Sequence, residues 1–343
     1  MIQPRTCQRN YAITGCPGTT DKAYTPGSAP GQDIAIAHFA SRNLLAVPGA
    51  SQLIDLINFD LSVPAASGSL VSPDASAQDW ALWYDPNTDT LSCLRAHNDG
   101  TSPAIDVFSH SGARISTVAM PVGVTDVIYG VFAYSTSPAR VLLTQYGGAF
   151  DYRIITINPT TWTISKAVLL GGGIQPSDLA WCPVDGLIYL VSNLSLYGLR
   201  VSDLSVINTI PIYAGQNAVP TTAAWCSSTN RLWVGVYNYT GSPPRRDILV
   251  INPVGNVIES HLTLPGSLDT CEYNFLRYNA TLDLMVLPVE QNNVVYYINP
   301  HTFTFTCATT RGAFNGINYP AFRASDGATY IQDYSGSQLI HQL

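Results

Sequence analysis

The chain has 343 residues, 46% of them hydrophobic and 11% charged, with a formal net charge of −7. High hydrophobicity with few charges excludes a disordered chain. With two lysines, Lys22 and Lys166, and no basic cluster beyond Arg245-Arg246, it also excludes a nucleic-acid binder that works by charge.

Residues 1–31 read as an irregular arm, rich in Pro, Gly and Thr. The start, MIQPRTCQRNYAITGCPG, lacks the apolar stretch of a secretory signal. No apolar run reaches the roughly 18 residues of a membrane helix, so no membrane insertion is expected. Seven cysteines are an odd number and argue against a disulfide framework. Cys93, Cys182, Cys226, Cys271 and Cys307 lie in apolar runs and read as small buried hydrophobes. Cys7 and Cys16 flank a polar stretch of the arm and form a candidate disulfide.

From Gln32 onward one pattern recurs: an apolar strand, a tight polar turn, then a second apolar strand. Its copies begin at Ile34, Asp79, Val131, Leu179, Ala223, Asn274 and Pro320. The residues before the turns are His38, Tyr84, Tyr134, Cys182, Cys226, Tyr278 and Ala324, spaced by 46, 50, 48, 44, 52 and 46 residues. A period in the forties with four short strands per unit predicts a seven-bladed β-propeller with four-stranded antiparallel blades over residues 32–343. A second turn falls at Asn158-Pro159, Asn252-Pro253 and Asn299-Pro300, where proline presets φ and asparagine hydrogen-bonds the backbone beyond it. The last unit stops at Leu343 with no room for a fourth strand. An N-terminal segment is expected to close the ring, with NYAITG, up to Gly15, as the best match.

The units NPTTWTISKAV and NPVGNVIESHL resemble those of YVTN-type seven-bladed propellers. The resemblance spans about residues 32–343 and implies architecture more than function. The WD signature and the kelch double glycine are absent. Low charge and a projecting arm are also similar in style to propeller modules of bacteriophage virions. The missing signal stretch leads to the expectation of synthesis in the cytoplasm, and that similarity implies residence in a virion.

In a propeller, the blade-joining loops share one face with the loops between second and third strands. The remaining turns share the other face. Here the first set is long and varied, as in YGGAFDYR and YNYTGSPPRRD, and the second is short and regular. Binding concentrates on variable loops held by a rigid scaffold. The candidate binding residues are therefore Tyr146, Tyr152, Tyr237, Tyr239, Arg245, Arg246, His97 and Asn98, a Tyr- and Asn-rich set suited to adaptable recognition. Asp33, Asp79, Asp126, Asp178 and Asp269 precede first strands. They read either as turn caps or as oxygen ligands for a calcium-like cation.

Two functions stay open. The leading expectation is a non-catalytic interaction platform: the arm anchors it to a protein partner in an assembly, and the loop face holds a glycan or protein. Another is a metal-dependent hydrolase of the lactonase type, with Glu272 as its catalytic carboxylate. A further one is an exported YVTN-like surface binding protein. No histidine pair, GxSxG, GxGxxG or phosphate loop supports an enzyme or a cofactor.

Overall fold

In the computed structural model, the described residues are 22–24, 36–48, 53–62, 69–71, 77–97, 103–120, 130–136, 139–147, 151–170, 176–192, 195–212, 218–238, 245–264, 275–289, 294–310, 320–332 and 340–343. They form seven four-stranded antiparallel sheets. The first contains Ala37–Phe39, Leu44–Pro48, Leu53–Ile57 and Ser69–Val71, and the second Ala77–Asp85, Thr90–His97, Ala104–Ser109 and Arg114–Ala119. The third contains Gly130–Thr136, Ala139–Gly147, Asp151–Asn158 and Thr163–Leu169. The fourth contains Pro176–Cys182, Leu187–Ser192, Ser195–Arg200 and Val206–Pro211. The fifth contains Ala218–Cys226, Arg231–Asn238, Arg245–Asn252 and Val257–Thr263. The sixth contains Arg277–Asn279, Leu284–Val289, Val294–Asn299 and Thr304–Thr310. The last holds Ala321–Phe322, Thr329–Gln332 and Ile340–Gln342, and its outer place is taken by Lys22–Tyr24. The fold is a β-propeller with four-stranded antiparallel blades.

Burial follows strand position. The third strand of the second blade, AIDVFS, is buried through Phe108, whereas its outer neighbour RISTVA buries only Val118. Apolar clusters fill the spaces between consecutive sheets. Leu187, Tyr189 and Val191 of the fourth blade pack on Leu232, Val234 and Leu249 of the fifth. Leu45 and Phe59 of the first blade pack on Ala321 and Tyr330 of the last. Val286 and Tyr297 of the sixth blade pack on Ile331 and Leu343.

The strand that pairs with the end of the last blade is not NYAITG. Lys22–Tyr24 pairs antiparallel with Ile340–Gln342, Ala23 lying opposite His341. Tyr11 to Gly15 lie outside the described residues. The expected turn marker also shifts. Cross-strand pairing aligns His38, Tyr84, Tyr134, Trp181, Trp225, Tyr278 and Phe322, each opposite the residue seven positions further along. Every first strand thus carries an aromatic residue at the same level. Cys182 and Cys226 sit one residue beyond it, and Ala324 sits two beyond.

The short turns behave as their residues predict. Asn158 Oδ1 accepts the amides of Thr160 and Thr161, Asn252 Oδ1 that of Val254, and Asn299 Oδ1 those of His301 and Thr302. Each four-residue turn then needs one left-handed residue. Asn43, Asp89, Gly186, Asn230, Asp283 and Gly327 supply it between first and second strands, and most of these side chains tolerate positive φ. Between third and fourth strands the residue is often large: Leu61, Trp162, Leu204 and Phe303 all have φ between 52° and 64°.

Outer strands of the second to sixth blades each carry one unpaired extra residue: Ile115, Ser165, Ile207, Glu259 and Thr306. Such bulges break the run of free backbone groups and guard the edge against pairing with another chain.

Candidate functional site

The strongest polar constellation lies among the first strands. Asp178, fully buried, accepts hydrogen bonds from its neighbour's amide, Leu179, at 2.8 Å. Its other oxygen accepts from Thr222 Oγ1 at 2.7 Å and the Ala223 amide at 2.9 Å, both on the fifth blade. From the sixth blade, Arg277 reaches both oxygens, at 2.9 and 3.1 Å. Arg277 also donates to the carbonyls of Ala223 and Leu276, and the Leu276 amide donates to Thr222 Oγ1. One carboxylate therefore ties three successive blades together through a bidentate guanidinium.

At Asp178 this arrangement leaves no place for the expected cation. The acceptor positions of Asp178 are filled by protein donors, and an arginine already supplies the positive charge. Asp79 lies opposite Arg95, whereas Asp178 lies opposite Val191, so the two do not share a level. The side chain of Asp79 lies outside the described residues, as do Asp33, Asp126, Asp269 and Glu272. Among the described residues no group of three acidic, histidine or cysteine side chains could hold a metal. Cys93, Cys182 and Cys226 are buried free thiols. Burial pushes the Cys182 thiol up to about 12, which keeps it protonated and inert. Cys7 and Cys16 lie outside the described residues.

Arg277 was missed in the sequence, although a signal was there. The residue before the aligned aromatic is alanine in five blades: Ala37, Ala133, Ala180, Ala224 and Ala321. An arginine in that place needs a buried partner.

The expected binding residues divide. Asn98 and Tyr239 lie outside the described residues. Tyr146 and Tyr152 are not loop residues; they face each other across paired strands. His97 and Arg245 likewise end strands, and the side chains of all four lie outside the described residues. Tyr237 and Arg246 were expected in an exposed loop, but pairing continues out to Asn238 and Arg245. The two side chains are 5% and 4% exposed, with the guanidinium 5.4 Å above the tyrosine ring. This cation–π stack buries them as structure. Beside it, buried Asp247 accepts from Thr263 Oγ1 at 2.9 Å and lies 3.0 Å from His261 Nε2.

On the short-turn face, Ser228 of the fifth blade, Asp283 and His301 of the sixth come together. Ser228 donates to Asp283 Oδ1 at 2.6 Å, while His301 Nε2 lies 2.7 Å from Oδ2. Tyr278 donates to Oδ1 as well. The Ser228 bond, then those of His301 and Tyr278, hold this carboxyl below its usual range. A hydrolytic triad needs histidine between serine and carboxylate. Here the carboxylate stands in the middle, so the serine has no base and the group links blades.

Comparison with known proteins supports the fold. No family model matches the chain, and no curated protein sequence matches it. Among solved structures, the chain is similar to one in the mitotic checkpoint complex, at 13% identity and a TM-score of 0.70, covering 100% of this chain and 98% of that one. It is similar to a chain of Kuenenia stuttgartiensis hydrazine synthase, at 10% identity and a TM-score of 0.69, covering 93% and 99%. It is also similar to the Pan2 WD40 domain of Neurospora crassa, at 11% identity and a TM-score of 0.61, covering 93% of each. At these identities the likeness concerns the fold.

Proposed function

We propose that the molecule is a non-catalytic protein-interaction scaffold: a closed seven-bladed ring whose long-loop face receives a protein partner. Its N-terminal arm ties it into a larger assembly such as a virion. The observation that carries this reading is the state of Asp178. The described carboxylate best placed for central chemistry spends its acceptors on locking three blades. A rigid ring with loops on one face is what a recognition platform requires. Similarity to propellers of a checkpoint complex and of a WD40 domain supports a protein as the partner class.

The test compares the full chain with one lacking residues 1–21, each immobilised and exposed to an extract of its source. The arm-dependent partner should be retained only by the full chain. Retention by both would overturn the anchoring role. About one tightly held calcium or zinc ion per purified chain would instead favour a metal-dependent hydrolase.

A further inference from the structure

Of the seven aligned aromatic residues on the first strands, His38 alone is a histidine; the others are Tyr, Trp or Phe. It stands on the first blade where that blade meets the last. Elsewhere consecutive blades follow one another along the chain. Here the two ends of the ring are held by packing and by the pairing of Lys22–Tyr24 with Ile340–Gln342. The first strands on either side are short. Ala37–Phe39 and Ala321–Phe322 have three and two residues, against seven to nine in the second to fifth blades.

Phe59 of the first blade centres this seam. Its ring and that of His38 are T-shaped, with centroids 4.9 Å apart. From the last blade, the Arg323 guanidinium lies 5.4 Å from the centroid of Phe59, and Tyr330 donates to the Phe59 carbonyl at 2.8 Å. His38 hydrogen-bonds the Phe322 backbone across the seam, and its Nε2 is buried with no hydrogen-bond partner among the described residues. The donor to Phe322 is therefore Nδ1, and Nε2 is the bare nitrogen of a neutral ring. An imidazolium carries a proton on both nitrogens and needs a second acceptor. The carboxylates near the seam are already engaged. Arg323 donates to both oxygens of Asp326, which also accepts the Ala328 amide, and Asp60 accepts from Ser62. Burial pushes the Tyr330 hydroxyl up to about 12, so it stays neutral. A proton on His38 would thus add a second cation beside Arg323. We propose that the seam is a proton-sensitive latch: in mild acid His38 takes up a proton and the first and last blades part, while the remaining blades stay packed. Burial, then the Arg323 charge, lowers the pKa of His38 in the closed seam, against the opposing Phe322 bond. The parted seam binds the proton more readily, so opening is least above pH 6.5 and grows as the pH falls towards the lowered value.

Hydrogen–deuterium exchange of the full chain would be followed at about pH 7.5 and about pH 5.5, with rates corrected for the intrinsic pH dependence of amide exchange. Protection over residues 36–48 and 320–332 should fall about three- to tenfold in acid, a span set by one proton per opening. Protection over residues 176–192 and 218–238, in the fourth and fifth blades, should hold. His38→Phe and His38→Tyr each place at this level a residue that another blade carries there, and should keep the seam protected at both pH values. His341→Gln removes the other histidine of these two blades and should leave the acid response intact. Seam protection that does not change with pH would overturn the proposal, as would an equal loss in every blade. So would an acid response that survives in His38→Phe and His38→Tyr, or one that vanishes in His341→Gln. The test reads the ring itself and depends on neither the arm nor the loop face.

Discussion

Arg277 and Asp178 put the largest single-residue stake in the molecule. The carboxylate is wholly buried and the guanidinium mostly so. Removing one partner of a buried pair costs about 3–5 kcal/mol, because the other is left unpaired in a medium that solvates it poorly. Arg277→Leu should therefore lower the thermal midpoint strongly, whereas Arg200→Leu, whose pair with Asp203 is exposed, should hardly move it. The double variant Asp178→Val with Arg277→Leu should recover part of the loss. Equal melts for Arg277→Leu and Arg200→Leu would show that the clasp contributes nothing. His38 makes a second residue-scale prediction. Burial lowers its pKa from 6.5, the nearby Arg323 charge adds to this, and a hydrogen bond with the Phe322 backbone opposes it. The unfolded chain then takes up the proton first, so stability is full above pH 6.5 and falls as the pH drops towards the lowered folded value. Melts between pH 7 and 5 should show this slope in the parent and a shallower one in His38→Phe. An identical slope would remove His38 as its source.

At the scale of elements, the turns show how local chemistry and packing divide the work. The Asn-Pro turns were legible because their caps act within four residues. The residue that closes each turn was not, since Leu, Trp and Phe give no sign of positive φ. Its reason lies in the neighbouring blade. Leu204 is buried among Leu199 and Val201 of its own blade and Ile154 of the third, and Phe303 packs on the ring of Trp233, 5.9 Å away in the fifth. A left-handed bulky residue costs about 1–3 kcal/mol of backbone strain. Burying a large apolar side chain offsets this by about 1.5–3 kcal/mol. Leu204→Gly relieves the strain but leaves a cavity, and should destabilise by about 1–2 kcal/mol in denaturant titration. A gain in stability would mean that strain outweighs packing at this turn. The same reasoning explains Tyr237 and Arg246. Their spacing looked like loop, but strand pairing and a ring–guanidinium stack carried both into the interior.

For the whole molecule, the question is what holds the last blade to the N-terminus. Repeat spacing foresaw that a segment before Gln32 would serve, but not which one. Tyr11 to Gly15 offers a short apolar run, Tyr-Ala-Ile, that reads as a strand, whereas Lys-Ala-Tyr is too short to show a period. What selects Lys22–Tyr24 is its partner: Ile340–Gln342 presents the last free edge of a sheet whose core holds Tyr330, Ile331 and Leu343. Covering that edge satisfies backbone groups at about 0.5–1.5 kcal/mol per hydrogen bond and hides a template for misassembly. Two truncations separate this role from anchoring. Removing residues 1–21 keeps the closing strand and should leave the thermal midpoint where it was. Removing residues 1–24 should lower it and make the protein aggregate on heating, through the bare edge of the last blade. If both truncations melt alike, the three-residue strand does not secure the blade. If only the shorter one is needed to destabilise the fold, closure depends on residues ahead of Lys22.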